Sequence, residues 1–313
     1  MAVNLVRYGS DLGPRWGVVR GTEVVPLADE YPTTATLVER GEEDWRNARG
    51  TAVALAELRL LSPVTTPCRI FCQGANYRQH MIESGLDPDA KTFNMFFTKS
   101  DASVAPAVGT LDRPAHVLLL DYEIELALVF RRAIQAPVTV TPETLQDYVF
   151  AACIANDVSA RDVQLPQMQF FKGKSYRGFC PLGPWLTVLE PDEFSLLEKL
   201  DLQLRVNDAV RQSDTTANLV FKPWETISEL STFANVAPGD VLLTGTPSGC
   251  ALRIPSPPVR RLVQLLPERT FWRLFVKSQS RRAEYLKPGD HMTATIRGAD
   301  GRLDLGEQRV TVT

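Results

Sequence analysis

Asp121-Tyr122-Glu123-Ile124-Glu125-Leu126 is the stretch on which the reading of this chain turns. With the two-residue period of a strand, Asp121, Glu123 and Glu125 project from one face and Tyr122, Ile124 and Leu126 from the other. Like charges at that spacing repel unless a cation or protons neutralise them, and a merely solvated face would interleave lysines. Two readings stay open on spacing alone, a metal site and an acidic exposed strand. Hard carboxylate oxygens suit Mg2+, Mn2+ or Ca2+ far better than zinc. Downstream, the apolar run Val149 to Ala155 leads into Asn156-Asp157-Val158-Ser159-Ala160-Arg161-Asp162, which supplies two more acids. A carboxylate closing a buried strand is placed to be a ligand, although Asn or Asp capping of an ordinary strand-to-helix turn gives the same pattern.

Around this stretch the chain reads as short strands joined by turns. Ile70 to Gln73, Phe93 to Thr98 and Val117 to Leu120 are apolar runs suited to interior strands, and Asn76 to Glu83 reads as a short helix or helical loop ended by Gly85. Further on, a Thr141-Pro142 start predicts a helix reaching Tyr148, Leu202 to Val206 and Val241 to Thr244 predict strands, and Pro223 to Phe233 a helix. Upstream, strands are expected at Asn4 to Tyr8, Trp16 to Val19 and Glu23 to Leu27, then helices at Thr34 to Arg40 and Trp45 to Leu58. This predicts a small N-terminal α+β domain over 1–62, a Pro-rich connection through Pro63 and Pro67, and a larger domain over 69–313. Residues 251–284 differ in character, with Val259, Leu262, Val263 and Leu266, then Phe271 and Phe275, at helical spacing amid arginines. They predict an inserted pair of amphipathic helices, either packed on the sheet or serving a dimer interface or an active-site cover.

Composition narrows the class. A chain of 313 residues, 44% hydrophobic and 23% charged, buries a sizeable core, and 22 prolines with 19 glycines point to turns and short strands. The net charge of -3 leaves no electrostatic footprint for nucleic acid or an anionic membrane surface. No apolar run approaches the length of a membrane span and the first residues lack a secretory signal, so a soluble cytoplasmic protein is expected. Five cysteines without a CxxC pair read as reduced, mostly buried thiols.

The sequence resembles the fumarylacetoacetate hydrolase family. The resemblance is carried by Gly74-Ala75-Asn76-Tyr77 with His80 and Glu83, Asp121 through Glu125, Asn156 through Gln164, Gly173-Lys174-Ser175, Cys180 through Pro184, Val206-Asn207 with Arg211-Gln212, and Pro238-Gly239-Asp240 leading to Thr244-Gly245-Thr246-Pro247. It implies an α+β, β-rich fold, with a mixed β-sandwich or β-roll catalytic domain behind the small N-terminal one. It implies a divalent metal on Glu123, Glu125 and Asp157, Mg2+ first with Mn2+ or Ca2+ as alternatives, and Asp121 behind them or at the surface. His80 and Glu83 are implied as the pair that activates water, the carboxylate steadying the imidazolium from three residues away. Lys174, Arg161 and Gln164 are implied to hold the substrate carboxylate and the charge on a departing enolate, where fixed donors lower the barrier most. Thr246, Gly245 and Tyr77 are implied to contact substrate.

The implied activity is metal-dependent hydrolysis of a C–C bond in an acylpyruvate or related 1,3-dicarbonyl acid. Oxaloacetate decarboxylation and dienoate isomerisation or hydration are alternatives on the same scaffold, and a catalytically silent binding protein is the remaining one. The implied partners are a small 2-oxo or diketo acid and a second copy of the chain in a homodimer. Two departures from the family pattern stand out. Ser248-Gly249-Cys250-Ala251-Leu252 and the arginine-rich insertion replace a short loop, which predicts a reshaped pocket wall, and a short Asp162 to Lys174 segment makes Lys174 rather than Lys172 the matching lysine through Ser175. His116 and His291 are expected in exposed loops or turns. The polar segment from Asn76 to Gly85 is expected to act as a mobile lid.

Overall fold

A computed structural model describes residues 2–91, 93–253 and 266–313. Its centre is a strand, Ile124–Phe130, buried along its whole length. Complete burial requires cover on both faces, and the side chains divide accordingly. Leu126, Leu128 and Phe130 pack with Leu202, Leu204 and Ile296 on one side, while Ala127 and Val129 pack with Leu5, Trp16 and Leu37 on the other. Two-sided burial of this kind gives a continuous apolar run rather than alternation.

Ile124–Phe130 lies between the antiparallel strands Val149–Asn156 and Val241–Leu243 in a 13-stranded sheet. Beyond Val241–Leu243 come Ile70–Gly74, parallel to it, and then Met95–Lys99, antiparallel to Ile70–Gly74. On the other flank, Trp185–Val188 pairs both with Val149–Asn156 and with Val3–Ser10, which carries the N-terminal strands into the same sheet. A second sheet of five strands runs in the order Ala209–Thr215, Leu200–Val206, His291–Gly298, Asp304–Val312, Val108–Leu111. The architecture is α+β and strand-rich, as expected.

Several local expectations are corrected. The helix expected from Trp45 to Leu58 ends at Arg46, because beyond Gly50 the chain returns to pair Val53 with Val24. The helix expected from Thr141 to Tyr148 is only a 3-10 turn, Leu145–Asp147, although Thr141 and Thr144 bond each other's backbone N–H groups as a helix cap would. The second inserted helix is present as Glu268–Gln279, with Phe271, Trp272 and Phe275 packed on one another. The first, around Val259 to Val263, lies outside the described residues. Among the described residues no helix is long and apolar enough to cross a membrane.

Candidate active site

Register builds the site. Pairing Ile124 with Asn156 brings the start of one buried strand against the end of the next, so Glu123, Glu125 and Asp157 meet. The Asp157 N–H donates to the Glu123 carbonyl at 2.8 Å, and the Glu123 N–H to the Asn156 side chain at 3.0 Å. All three carboxylates are buried, and one oxygen of each lies within 4.8 Å of the others. Asp121 does not share their face. The strand is interrupted after Asp121, which instead pairs with Ser159 and accepts from the Ala251 and Leu252 N–H groups at 2.7 and 3.1 Å. It is fully buried rather than at the surface, and it fixes the loop after Cys250.

Three buried cations face these acids. Lys174 Nζ donates to Glu123 Oε2 at 2.6 Å and also to Asp157. Arg161 Nε donates to Asp121 at 2.8 Å while its Nη2 donates to Glu123. Lys99, reaching in from the sheet's far strand, donates to Asp157 Oδ1. Burial alone would push the Glu123 carboxyl up, but Arg161 and Lys174 together hold it below the usual carboxylate range. Burial would likewise depress the Lys174 ammonium, and Asp157 and Glu123 hold it above its ordinary value. Glu125 differs, since among the described residues its one hydrogen-bond donor is the Gly245 N–H at 2.7 Å. Burial, then the neighbouring Asp157 and Glu123, push its carboxyl well above the normal range.

Counted as ionised, four buried carboxylates against three buried cations leave the cluster one positive charge short. A divalent ion on Glu123, Glu125 and Asp157 would supply it, and an all-oxygen donor set is what Mg2+, Mn2+ or Ca2+ takes. The residues present fit such an ion.

Beside the carboxylates opens a cavity of about 440 Å³, lined at this end by Glu123, Glu125, Arg161, Gln164, Lys174 and Thr246. His80 and Glu83, on the helix Arg78–Glu83, line the same cavity. Burial lowers the half-buried His80 imidazole below its ordinary value, with Glu123 pulling the other way. No hydrogen bond joins the two among the described residues, and the exposed Glu83 carboxylate accepts from Gln79 at 3.4 Å instead. Every donor nitrogen of Arg161 is engaged, its Nη1 with Gln164 Oε1 at 3.0 Å, so Gln164 has its amide NH2 to offer a ligand. The Thr246 hydroxyl donates to the Ile124 carbonyl at 2.9 Å. Gly245 has φ +91, and a Cβ there would stand 2.8 Å from Asn76 Cβ, so the close approach of chain that delivers its N–H to Glu125 requires glycine.

Tyr77 is not brought to the cavity. A bridge between Tyr77 and Leu219 turns its ring into the core, where it is fully buried. Lys172 is exposed and Lys174 buried. His116 and His291 are both exposed, bonded to Tyr176 and Thr311 respectively. Of the inserted segment, the buried Gln279 bonds both the N–H and the carbonyl of Arg253, so the insertion does reach the pocket wall.

Sequence reasoning missed Lys99 and left Gln212 without a role. The only signal for Lys99 was a lysine closing the apolar run Phe96-Phe97-Thr98. Gln212, buried on the second sheet, accepts from the Ile124 N–H at 2.9 Å and donates to Thr246 Oγ1 at 2.8 Å. It thereby ties the strand of Glu123 and Glu125 to the Thr246 loop.

Comparison with known proteins agrees with this fold. A family model, "Fumarylacetoacetate (FAA) hydrolase C-terminal", matches residues 69–313, and the chain belongs to the fumarylacetoacetate hydrolase family, a family of enzymes. Among curated relatives, oxaloacetate tautomerase YisK of Bacillus subtilis is 38% identical over 202 residues, covering 63% of this chain and 64% of that protein. The match thus spans under two thirds of that relative's length. Among solved structures, the fumarylacetoacetate hydrolase of Exiguobacterium antarcticum shares 27% identity with a TM-score of 0.75 over 99% of both chains. A probable 2-hydroxyhepta-2,4-diene-1,7-dioate isomerase from Mycobacterium abscessus shares 27% identity with a TM-score of 0.73, over 100% of this chain and 98% of that one.

Proposed function

We propose that this protein is a metal-dependent enzyme that interconverts the keto and enol forms of a 2-oxo acid. The observation that carries the reading is that His80 lines the cavity beside the carboxylate cluster and, among the described residues, makes no hydrogen bond to Glu83, whose carboxylate accepts from Gln79 instead. Moving a proton between a substrate carbon and its enol oxygen needs one such group, whereas activating water for C–C cleavage calls on the oriented His–Glu pair. The similarity to an oxaloacetate tautomerase supports this choice.

A divalent ion held by Glu123, Glu125 and Asp157 would polarise the carbonyl of the bound oxo acid as a Lewis acid. The remaining work falls to side chains. Lys174 and Arg161 keep a positive field around the oxygen on which enolate charge develops, and Gln164 offers its amide NH2 to the substrate carboxylate. Depressed by burial, His80 is unprotonated near neutral pH and accepts the proton from carbon, then returns it to oxygen.

Hydrolysis of an acylpyruvate remains as a second reading because Glu83 does line the same cavity, on the same helix as His80. One pair of variants separates the two. With Mg2+ or Mn2+ present, His80→Asn should slow oxaloacetate enol–keto exchange by about 10²–10⁴-fold, and Glu83→Gln by less than about tenfold. Acylpyruvate cleavage abolished by both variants, with exchange indifferent to His80, would replace tautomerisation by hydrolysis. Pyruvate release from oxaloacetate, followed in the same assay, reports decarboxylation.

A further inference from the structure

The cavity is far from uniform. Its charged lining is described above; its apolar lining is Phe93, Met95, Phe97, Leu165, Phe170 and Leu252. None of these six is fully buried, and Phe93 is 53% exposed. Soluble proteins rarely leave a concave cluster of large apolar side chains open to water without using it.

One strand lays out the gradient. Along Met95–Lys99 the two-residue period sends Met95, Phe97 and Lys99 to the cavity side, and Phe96 to the other side, where it packs on Phe233 with centroids 5.1 Å apart. Lys99 ends on Asp157. Phe97 stands next, its ring 5.0 Å from the Lys174 ammonium and 5.2 Å from the Phe170 ring. Met95 comes after it, and from Lys99 to Met95 the strand runs about 13 Å at ~3.3 Å per residue. Leu165 and Phe170 come from the segment that also carries Arg161 and Lys174, and Leu252 from the loop fixed by Asp121. The strand Met95–Lys99 and the segment from Arg161 to Lys174 therefore each carry cationic side chains of the cluster as well as apolar side chains of the cavity wall.

We infer that the substrate is a 2-oxo acid, or its enol, that carries an extended apolar or aromatic substituent seated on Phe93, Met95, Phe97, Leu165, Phe170 and Leu252. This rests on the reading above that the charged lining takes a 2-oxo acid head group, and it narrows the substrate class. A four-carbon oxo diacid engages only the charged lining. The cavity has room for on the order of 15 waters at ~30 Å³ each, and leaving the apolar wall wet gives up the affinity it can supply.

Unreactive head-group mimics test this without turnover. Calorimetric titration of the Mn2+-loaded protein would compare oxamate with N-butyl- and N-phenyloxamate. At about fourfold per buried methylene, both substituted ligands should bind at least about tenfold tighter than oxamate. In Phe93→Ala and Leu165→Ala that ratio, read within one protein so that general loss of folding or metal cancels, should fall about three- to tenfold. Oxamate binding with no gain from the substituent would overturn the inference and leave the head-group reading standing. A gain that persists undiminished in both variants would overturn it too, since the tail would then sit elsewhere. No binding of any of the three would remove the head-group reading and the inference with it.

Discussion

Lys99→Met should make the metal-free protein less stable and its metal site tighter. The Lys99 side chain has no exposure, and its ammonium bonds Asp157 and lies 3.4 Å from the Val158 carbonyl. Methionine keeps the length of the side chain and removes the charge, leaving the fully buried Asp157 with Lys174 as its remaining cation. Removing one partner of a buried ion pair costs about 3–5 kcal/mol. At about 2 °C per kcal/mol for a chain of this size, the Tm in chelator should fall by about 6–10 °C. The cluster, one positive charge short in the native protein, becomes two short. Mn2+ should then bind at least about tenfold tighter, because a unit charge within several ångströms of a divalent ion contributes more than ~1.4 kcal/mol even at an effective dielectric of ~20. Scanning calorimetry in chelator and in saturating Mn2+, with a Mn2+ titration, measures both effects. A packing defect would lower Tm equally in the two conditions. That result, or weaker Mn2+ binding, would refute the assignment of Lys99 as a counter-charge to the metal-ligand carboxylates.

Three further outcomes follow from the same contacts. Glu125→Gln keeps an acceptor for the Gly245 N–H but removes the carboxylate that lacks a cation, so the metal-free protein should gain about 1 kcal/mol while Mn2+ affinity falls at least about tenfold, read by the same two measurements. Gln212→Leu strands the buried Ile124 N–H, a cost of about 1–3 kcal/mol, and should lower Tm by about 2–6 °C in thermal unfolding. Burial pushes all five thiols up, Cys68 and Cys153 to about 12, so a thiolate-specific reagent at pH 8 should label the native chain slowly and the unfolded chain at all five positions. Rapid native labelling would contradict that burial.

How legible the fold was depended on how local its causes are. Thr34–Arg40 was readable because its cap is local, with Thr33 and Thr36 bonding each other's backbone groups. Val149–Asn156 was readable because burial on both faces leaves a continuous apolar run. Trp45 to Leu58 misled because its helical pattern competes with a distant partner: Val53 pairs with Val24, and no window of sequence around Val53 contains that information. Tyr77 misled for the same reason. Its place in a family motif says nothing about where the ring turns, and the deciding contact is with Leu219.

The site shows the same asymmetry in its charges. Carboxylates at Glu123 and Glu125 stand out in a sequence because adjacent like charges are visibly unfavourable, and the anomaly itself points to a counter-ion. The cations that offset them come from Lys99, Arg161 and Lys174, far apart in the sequence and each readable alone as a surface charge. Arg161 and Lys174 were found through motifs and Lys99 was not. That omission changes the electrostatics of the conclusion. Without Lys99 the cluster is two positive charges short, and a divalent ion would merely neutralise it. With Lys99 it is one short, so the same ion leaves the site net positive before any substrate arrives. A net positive cavity wall attracts anionic ligands. The lysine that was hardest to see is therefore the one that decides the net charge this cluster would carry around a bound divalent ion.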